Sequence, residues 1–172
     1  MARELPATAD LCDAHVPDPI DVTVPRAVQI AQPIFRDFGK TLSFAGPIAT
    51  VRCYENNPLV REALGEPGLG RVLVVDGGAS TRCALLGDNL AALGAKNGWS
   101  GVVVNGLIRD SGVIKTIDIG VKALGTIPIK SSKRDPGQRD VPVHFAGVTF
   151  RPGEWLHADE DGILVAPKEL TL

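Results

Sequence analysis

The clearest feature of the apolar and polar pattern is a pair of matching runs. Residues 71–76, RVLVVD, and 101–105, GVVVN, are stretches of mostly β-branched residues, each ending on a polar residue followed by glycine. Continuous apolar runs of this length predict strands buried on both faces of a sheet. They lie about 30 residues apart, the length of a right-handed βαβ unit. Between them, residues 89–97 predict a helix of small residues capped by Gly98. A third apolar run, 121–127, follows a predicted helix over 110–116.

The flanking segments predict shorter elements. Thr8-Ala9-Asp10 precedes LCDAH, which predicts a short helix with Thr8 or Asp10 as its N-cap, stopped by Pro17 and Pro19. Four prolines, Pro17, Pro19, Pro25 and Pro33, make 17–33 irregular or extended. Residues 44–54, FAGPIATVRCY, predict a strand that Pro47 assigns to an edge or a bulge. Asn57-Pro58 opens a helix, PLVREAL, that ends at Gly65. Residues 81–86 read as a short helix or a turn, and 129–139, IKSSKRDPGQR, as an exposed basic loop. Residues 141–150 predict a hairpin turning at Gly147, and 157–162, HADEDG, an acidic turn before a last strand, Ile163–Ala166. The expected architecture is one α/β domain over 1–172: a central parallel βαβ core covered by β-rich N- and C-terminal segments.

Composition narrows the function classes. The formal net charge is −2, with 18 basic and 20 acidic residues, which leaves no electrostatic footprint for direct nucleic-acid or anionic-membrane binding. No segment approaches the ~20 apolar residues of a membrane span, and MARELPATADLCDAH has no signal-peptide apolar run. The expectation is a soluble cytoplasmic protein. Cys12, Cys53 and Cys83 are widely spaced without a CxxC, as expected of reduced, mostly buried thiols.

The candidate chemistry gathers in residues 86–113, LGDNLAALGAKNGWSGVVVNGLIRDSGV. Arg109 follows Asp88 by 21 positions, so a helix and strand packed antiparallel would return the chain to its starting edge. Asp88, Arg109 and Asp110 would then share a pocket, and two carboxylates with a guanidinium suit a metal ion and an anionic substrate. Two readings stay open for each group. Asp88 is either a helix cap or part of an anion site made by the first N–H groups of the helix, those of Asp88, Asn89 and Leu90. Arg109 and Asp110 are either a surface pair and a cap, or a site at the carboxyl end of a strand, where α/β ligand sites collect.

Other motifs carry less. Gly77-Gly78 after a strand is either a phosphate-binding turn or a tight strand exit, and the exit is favoured because neither a GxGxxG nor a P-loop follows. HADEDG is too short for an EF-hand loop and reads as a solvated turn. His15 stands alone, and His144 alternates with apolar neighbours as a structural histidine does. Lys130, Lys133, Arg134 and Arg139 form a basic patch without interleaved aromatics, so RNA binding is not indicated.

The blocks DGGAS, ALLGDNLAALGAKNGWSGVVVNGLIRD, IDIGVKALGTIPIKS and GVTFRPGEWLHADEDGILV, in that order, resemble the RraA-like proteins. These include the regulator of ribonuclease E activity A and the class II 4-hydroxy-4-methyl-2-oxoglutarate aldolases. The resemblance implies a swivelling β/β/α domain in a ring-shaped homotrimer, with sites between neighbouring subunits. It also implies a pyruvate aldolase with oxaloacetate decarboxylase activity, or alternatively a non-catalytic regulator that docks on ribonuclease E. On that likeness Arg109 binds the pyruvyl carboxylate, and the backbone of Gly87, Asp88, Asn89 and Leu90 cradles the substrate. Asp110 holds a divalent metal, Mg²⁺ or Mn²⁺, and Asp88 orients its waters or takes part in proton transfer. The ribonuclease regulators can lose the aspartate after the arginine; this chain keeps it, which favours the enzyme. Longer aldolases add an acidic residue from a neighbouring subunit near the C-terminus, which the ending PKELTL does not identify. Some relatives have been labelled menaquinone methyltransferases, but this chain has no glycine-rich adenosyl-methionine loop.

Overall fold

The structure, a computed structural model, describes residues 4–21, 23 and 27–172. Among these the elements run α1 (Thr8–His15), β1 (Gln29–Ile30), β2 (Arg36–Asp37), β3 (Phe44–Arg52), α2 (Pro58–Gly65), β4 (Val72–Asp76), β5 (Ala84–Leu86) and α3 (Asp88–Lys96). They continue with β6 (Gly101–Ile108), α4 (Ser111–Ile114), β7 (Gly120–Thr126), β8 (Gln138–Arg139), β9 (Val143–Phe145), β10 (Val148–Phe150), β11 (Trp155–Ala158) and β12 (Ile163–Ala166).

The two apolar runs are direct neighbours. β4 and β6 pair in parallel, Val72 opposite Gly101 and Asp76 opposite Asn105. β3 adds to β4 in parallel, and β7 adds to β6. Side chains alternate across this ladder and divide the core in two. Leu73, Val75, Val102 and Val104 pack with Leu64, Leu90 and Ile114 on the helical side. Val72, Val74 and Val103 pack with Phe145, Val148 and Phe150 on the other. The α/β class is as expected, and the β9–β10 hairpin covers a face as predicted, turning at Ala146-Gly147 with both φ positive.

The β-rich ends do more than cover the core: they extend its sheet. β11 pairs antiparallel with the first half of β3, then β12 with β11 and β1 with β12. β3 is therefore an interior strand, not the edge strand Pro47 suggested. Pro47 is tolerated because the parallel ladder to β4 begins one residue later, at Ile48. At the opposite edge β2 pairs with β7, placing Asp37 opposite Lys122. Lys122 is buried, and its Nζ lies 2.8 Å from Asp37 Oδ1.

Several local expectations change. Residues 84–86 are strand β5 rather than helix or turn, because β6 on one side and residues 129–130 on the other supply partners. β6 runs through Gly106 to Ile108 and is buried throughout. The helix expected over 110–116 is the short α4. His157 and Ala158 belong to β11, so HADEDG is only partly a turn. Neither Thr8 nor Asp10 caps α1: Ala7 is the N-cap. Thr8 N–H and Oγ1–H instead donate to Asp159 from 2.7 Å each, so a carboxylate from the far end of the chain caps the helix. Of the segment 17–33, Pro25 lies outside the described residues.

Candidate active site

The site is built around β5. Its Leu86 pairs with Ile108 at the end of β6, and Arg109 N–H donates to Leu86 O at 2.9 Å. This bond brings Arg109 and Asp110 beside Gly87, where α3 begins. On the other edge of β5, Ala84 N–H donates to Ile129 O at 2.8 Å and Ala84 bridges to Lys130. Asn57, at the start of α2, donates its side-chain amide to Leu85 O at 3.0 Å. Three chain segments distant in sequence thus converge on one three-residue strand.

The cavity over β5 is lined on one side by Gly87, Asp88, Asn89, Leu90, Arg109 and Asp110. The three charged residues picked out by their spacing do share a pocket. Gly87 is the N-cap of α3 and Asp88 its first residue. Asp88 Oδ1 accepts the Asn89 N–H at 2.8 Å, so that donor is occupied within the protein. The Leu90 N–H remains a first-turn donor, at the positive end of the helix dipole.

Asp110 occupies the N-cap position of α4, yet its carboxylate makes no cap bond. It turns back to the Asp88 N–H at 3.5 Å and to Arg109 Nε at 3.6 Å. Its backbone is left-handed, φ +58°, an uncommon conformation for a residue with a Cβ. Both long contacts are loose, and the Arg109 and Asp110 side chains are each 39% exposed. The carboxylate is therefore available to a cation. No group of three or more His, Cys, Asp or Glu gathers among the described residues. A hard divalent cation such as Mg²⁺ or Mn²⁺ fits this sparse set, because it keeps waters and binds through one or two carboxylates plus substrate oxygens. Asp110 would hold it, with Asp88 at its waters.

The opposite wall was not read as part of the site from sequence. It comprises Asn57, Arg61, Lys130, Ser131 and Lys133. Asn57 and Arg61 are i and i+4 across the start of α2 and share a face. The basic patch divides. Lys130 and Lys133 turn to the cavity, whereas Arg139 donates to Glu66 at 2.7 and 2.9 Å and to Glu62 at 2.9 Å. These bonds raise the Arg139 pKa and hold the Glu66 carboxyl below its ordinary value.

The remaining candidates have structural partners. Gly77 and Ala79 N–H both donate to Asn105 O at 3.1 Å, and a Cβ on Gly77 would lie 2.3 Å from the Leu85 side chain. Gly78 N–H donates to Asp76 Oδ1 at 3.0 Å, so the turn is a strand exit whose N–H groups are engaged within the protein. His144 Nδ1 bonds Thr149 Oγ1, His15 Nε2 meets Thr171 O, and His157 Nε2 accepts the Leu170 N–H. The three cysteines are free thiols, and burial, with the nearby Asp76 and Cys83, pushes Cys53 up to about 12.

The fold and the site define a mixed α/β domain carrying an arginine-aspartate pair against a helix N-terminus. Residues 8–165 match the RraA-like model, described as Aldolase/RraA. The chain belongs to this family. It is 58% identical over 163 residues to a protein of Alkalilimnicola ehrlichii, covering 95% of this chain and 96% of that one. A Burkholderia multivorans protein is 52% identical, covering 96% and 98%. Both bear the provisional name 4-hydroxy-4-methyl-2-oxoglutarate aldolase. Among solved structures, the RNA-processing inhibitor RraA from Thermus thermophilus superposes with a TM-score of 0.88 at 42% identity, covering 98% of this chain and 96% of that one. A Geobacillus kaustophilus protein described as an S-adenosylmethionine:2-dimethylmenaquinone methyltransferase superposes with a TM-score of 0.86 at 46% identity, covering 95% and 96%. No helix among the described residues is long and apolar enough to cross a membrane.

Proposed function

We propose that this cavity performs divalent-metal-dependent aldol cleavage of 4-hydroxy-4-methyl-2-oxoglutarate and related 4-hydroxy-2-oxo acids, releasing pyruvate. The observation that carries this reading is the placement of Arg109 and Asp110 together against the start of α3. Arg109 supplies a planar fork for the 2-oxo acid carboxylate. The Leu90 N–H and the α3 dipole favour the same anion. Asp88 sits where it can order water or relay the proton leaving the 4-hydroxyl group. Breaking the C–C bond leaves negative charge on the pyruvyl half. A divalent cation, when bound, supplies Lewis-acid stabilisation of that charge. Decarboxylating oxaloacetate develops the same charge, so one site serves both reactions, and no lysine has to form a Schiff base. The names of the curated relatives support the lyase class.

A homotrimer is part of this proposal. Val113 and Ile129, apolar residues on segments adjoining the site, are 50% and 57% exposed, which supports a neighbouring subunit covering that surface. Light scattering on the purified chain tests it.

The enzyme reading is tested by following pyruvate release from 4-hydroxy-4-methyl-2-oxoglutarate and from oxaloacetate, with Mg²⁺ and with EDTA. Activity that survives both EDTA and Arg109→Ala rejects the mechanism. The likeness to the Thermus inhibitor supports a second reading, regulation of ribonuclease E by direct docking. A ribonuclease E cleavage assay unaffected by micromolar protein removes it.

A further inference from the structure

The two walls of the cavity differ in how their charges are matched. On the Arg109 side, cation and carboxylates stand together. On the other, Arg61, Lys130 and Lys133 face the same space, and among the described residues none of the three pairs with a carboxylate, in contrast to Arg139 of the same region. Among them Ser131 is 6% exposed, and its Oγ is buried without any hydrogen-bond partner. Such an orphaned hydroxyl is costly unless a ligand satisfies it.

The spacing is set by the sheet. Arg109 follows β6 on one edge of β5, and Lys130 lies on the other. Two inter-strand steps separate these edges by about 10 Å. An extended five-carbon diacid spans ~5 Å between its carboxyl carbons, and a contact of ~3 Å at each end brings its cations to a matching distance.

We infer that Arg61 and Ser131 seat the second carboxylate of the substrate, so that Arg61 is a specificity-determining residue selecting 2-oxo diacids over 2-oxo monoacids. This rests on the proposed 2-oxo acid site at Arg109. Arg61 pairs with the distal carboxylate, and Ser131 Oγ–H donates to it. Lys130 and Lys133 add field without fixed geometry. Arg61 projects from an exposed position on α2, so its replacement leaves the core untouched.

Calorimetric titration of the full chain with Mg²⁺, using 2-oxoglutarate and 2-oxobutanoate as unreactive probes, tests the inference without relying on turnover. The wild type is expected to bind the diacid about tenfold more tightly or better, a preference that falls to near unity in Arg61→Ala and partly returns in Arg61→Lys. Ser131→Ala weakens the diacid selectively. Equal binding of the two acids by the wild type overturns the inference, as does a preference that persists in Arg61→Ala. If neither acid binds, the inference and the 2-oxo acid reading fall together. If the Arg61-dependent preference is present but no pyruvate forms from any 4-hydroxy-2-oxo acid, the diacid seat stands and the lyase reading falls alone.

Discussion

Gly87 and Asp110 are so close that a Cβ added to Gly87 would lie 2.8 Å from Asp110 Oδ2 and 3.5 Å from Arg109 Nε. The absent side chain lets the carboxylate turn back over the start of α3. Gly87 has an extended backbone, φ −128°, that any residue can adopt, so alanine costs little in folding. Gly87→Ala is expected to shift the carboxylate and lower pyruvate release about a hundredfold, with Tm nearly unchanged. Steady-state kinetics beside thermal unfolding check both halves.

Arg109 and Asp110 are predicted to separate binding from metal dependence. Arg109→Lys keeps the charge but loses the fork, so it raises KM for oxaloacetate strongly. Asp110→Asn keeps the shape but loses the anion, so stimulation by Mg²⁺ or Mn²⁺ disappears. Activity in Asp110→Asn that still responds to metal would assign the ion elsewhere.

The Asp159 carboxylate ties the end of the chain to its beginning. Burial alone would raise its pKa, but donors from Thr8, Asp161 and Gly162 outweigh burial and hold it below the ordinary value. A carboxyl lowered on folding stabilises the fold above its unfolded pKa, about 3.9, and that contribution is lost as pH falls through the lower folded value. Asp159→Asn should cost about 1–2 kcal/mol at neutral pH, with the gap to wild type narrowing in acid. Urea unfolding at pH 7 and pH 3 measures it.

Lys122 and Asp37 test the buried edge of the sheet. Lys122→Met leaves Asp37 without its cation and is expected to destabilise by about 3–5 kcal/mol. Replacing both, Lys122→Met with Asp37→Leu, should recover most of that loss. A double variant no better than the single one would show that the pair itself stabilises the fold.

The parallel core was legible because 72–76 and 101–105 are buried on both faces and carry an unbroken apolar signal. β5 was not, because three residues show no period and their partners come from 107–108 and 129–130. The same reason hid half the cavity. Asp88, Arg109 and Asp110 flank one helix–strand unit and could be found by spacing. Arg61 and Ser131 join them only through β5, and Ser131 shows its character only as a buried hydroxyl without a partner. Thr8 was mistaken for a cap because its acceptor lies 151 residues away.

The left-handed backbone of Asp110 sets conformational ease against chemistry at one position. Glycine takes φ +58° freely and an L-residue does not, so Asp110→Gly relieves strain where the aspartate bears it. A chain selected for stability alone would gain by placing glycine there. In the proposed mechanism that cost is offset by the carboxylate that the metal requires.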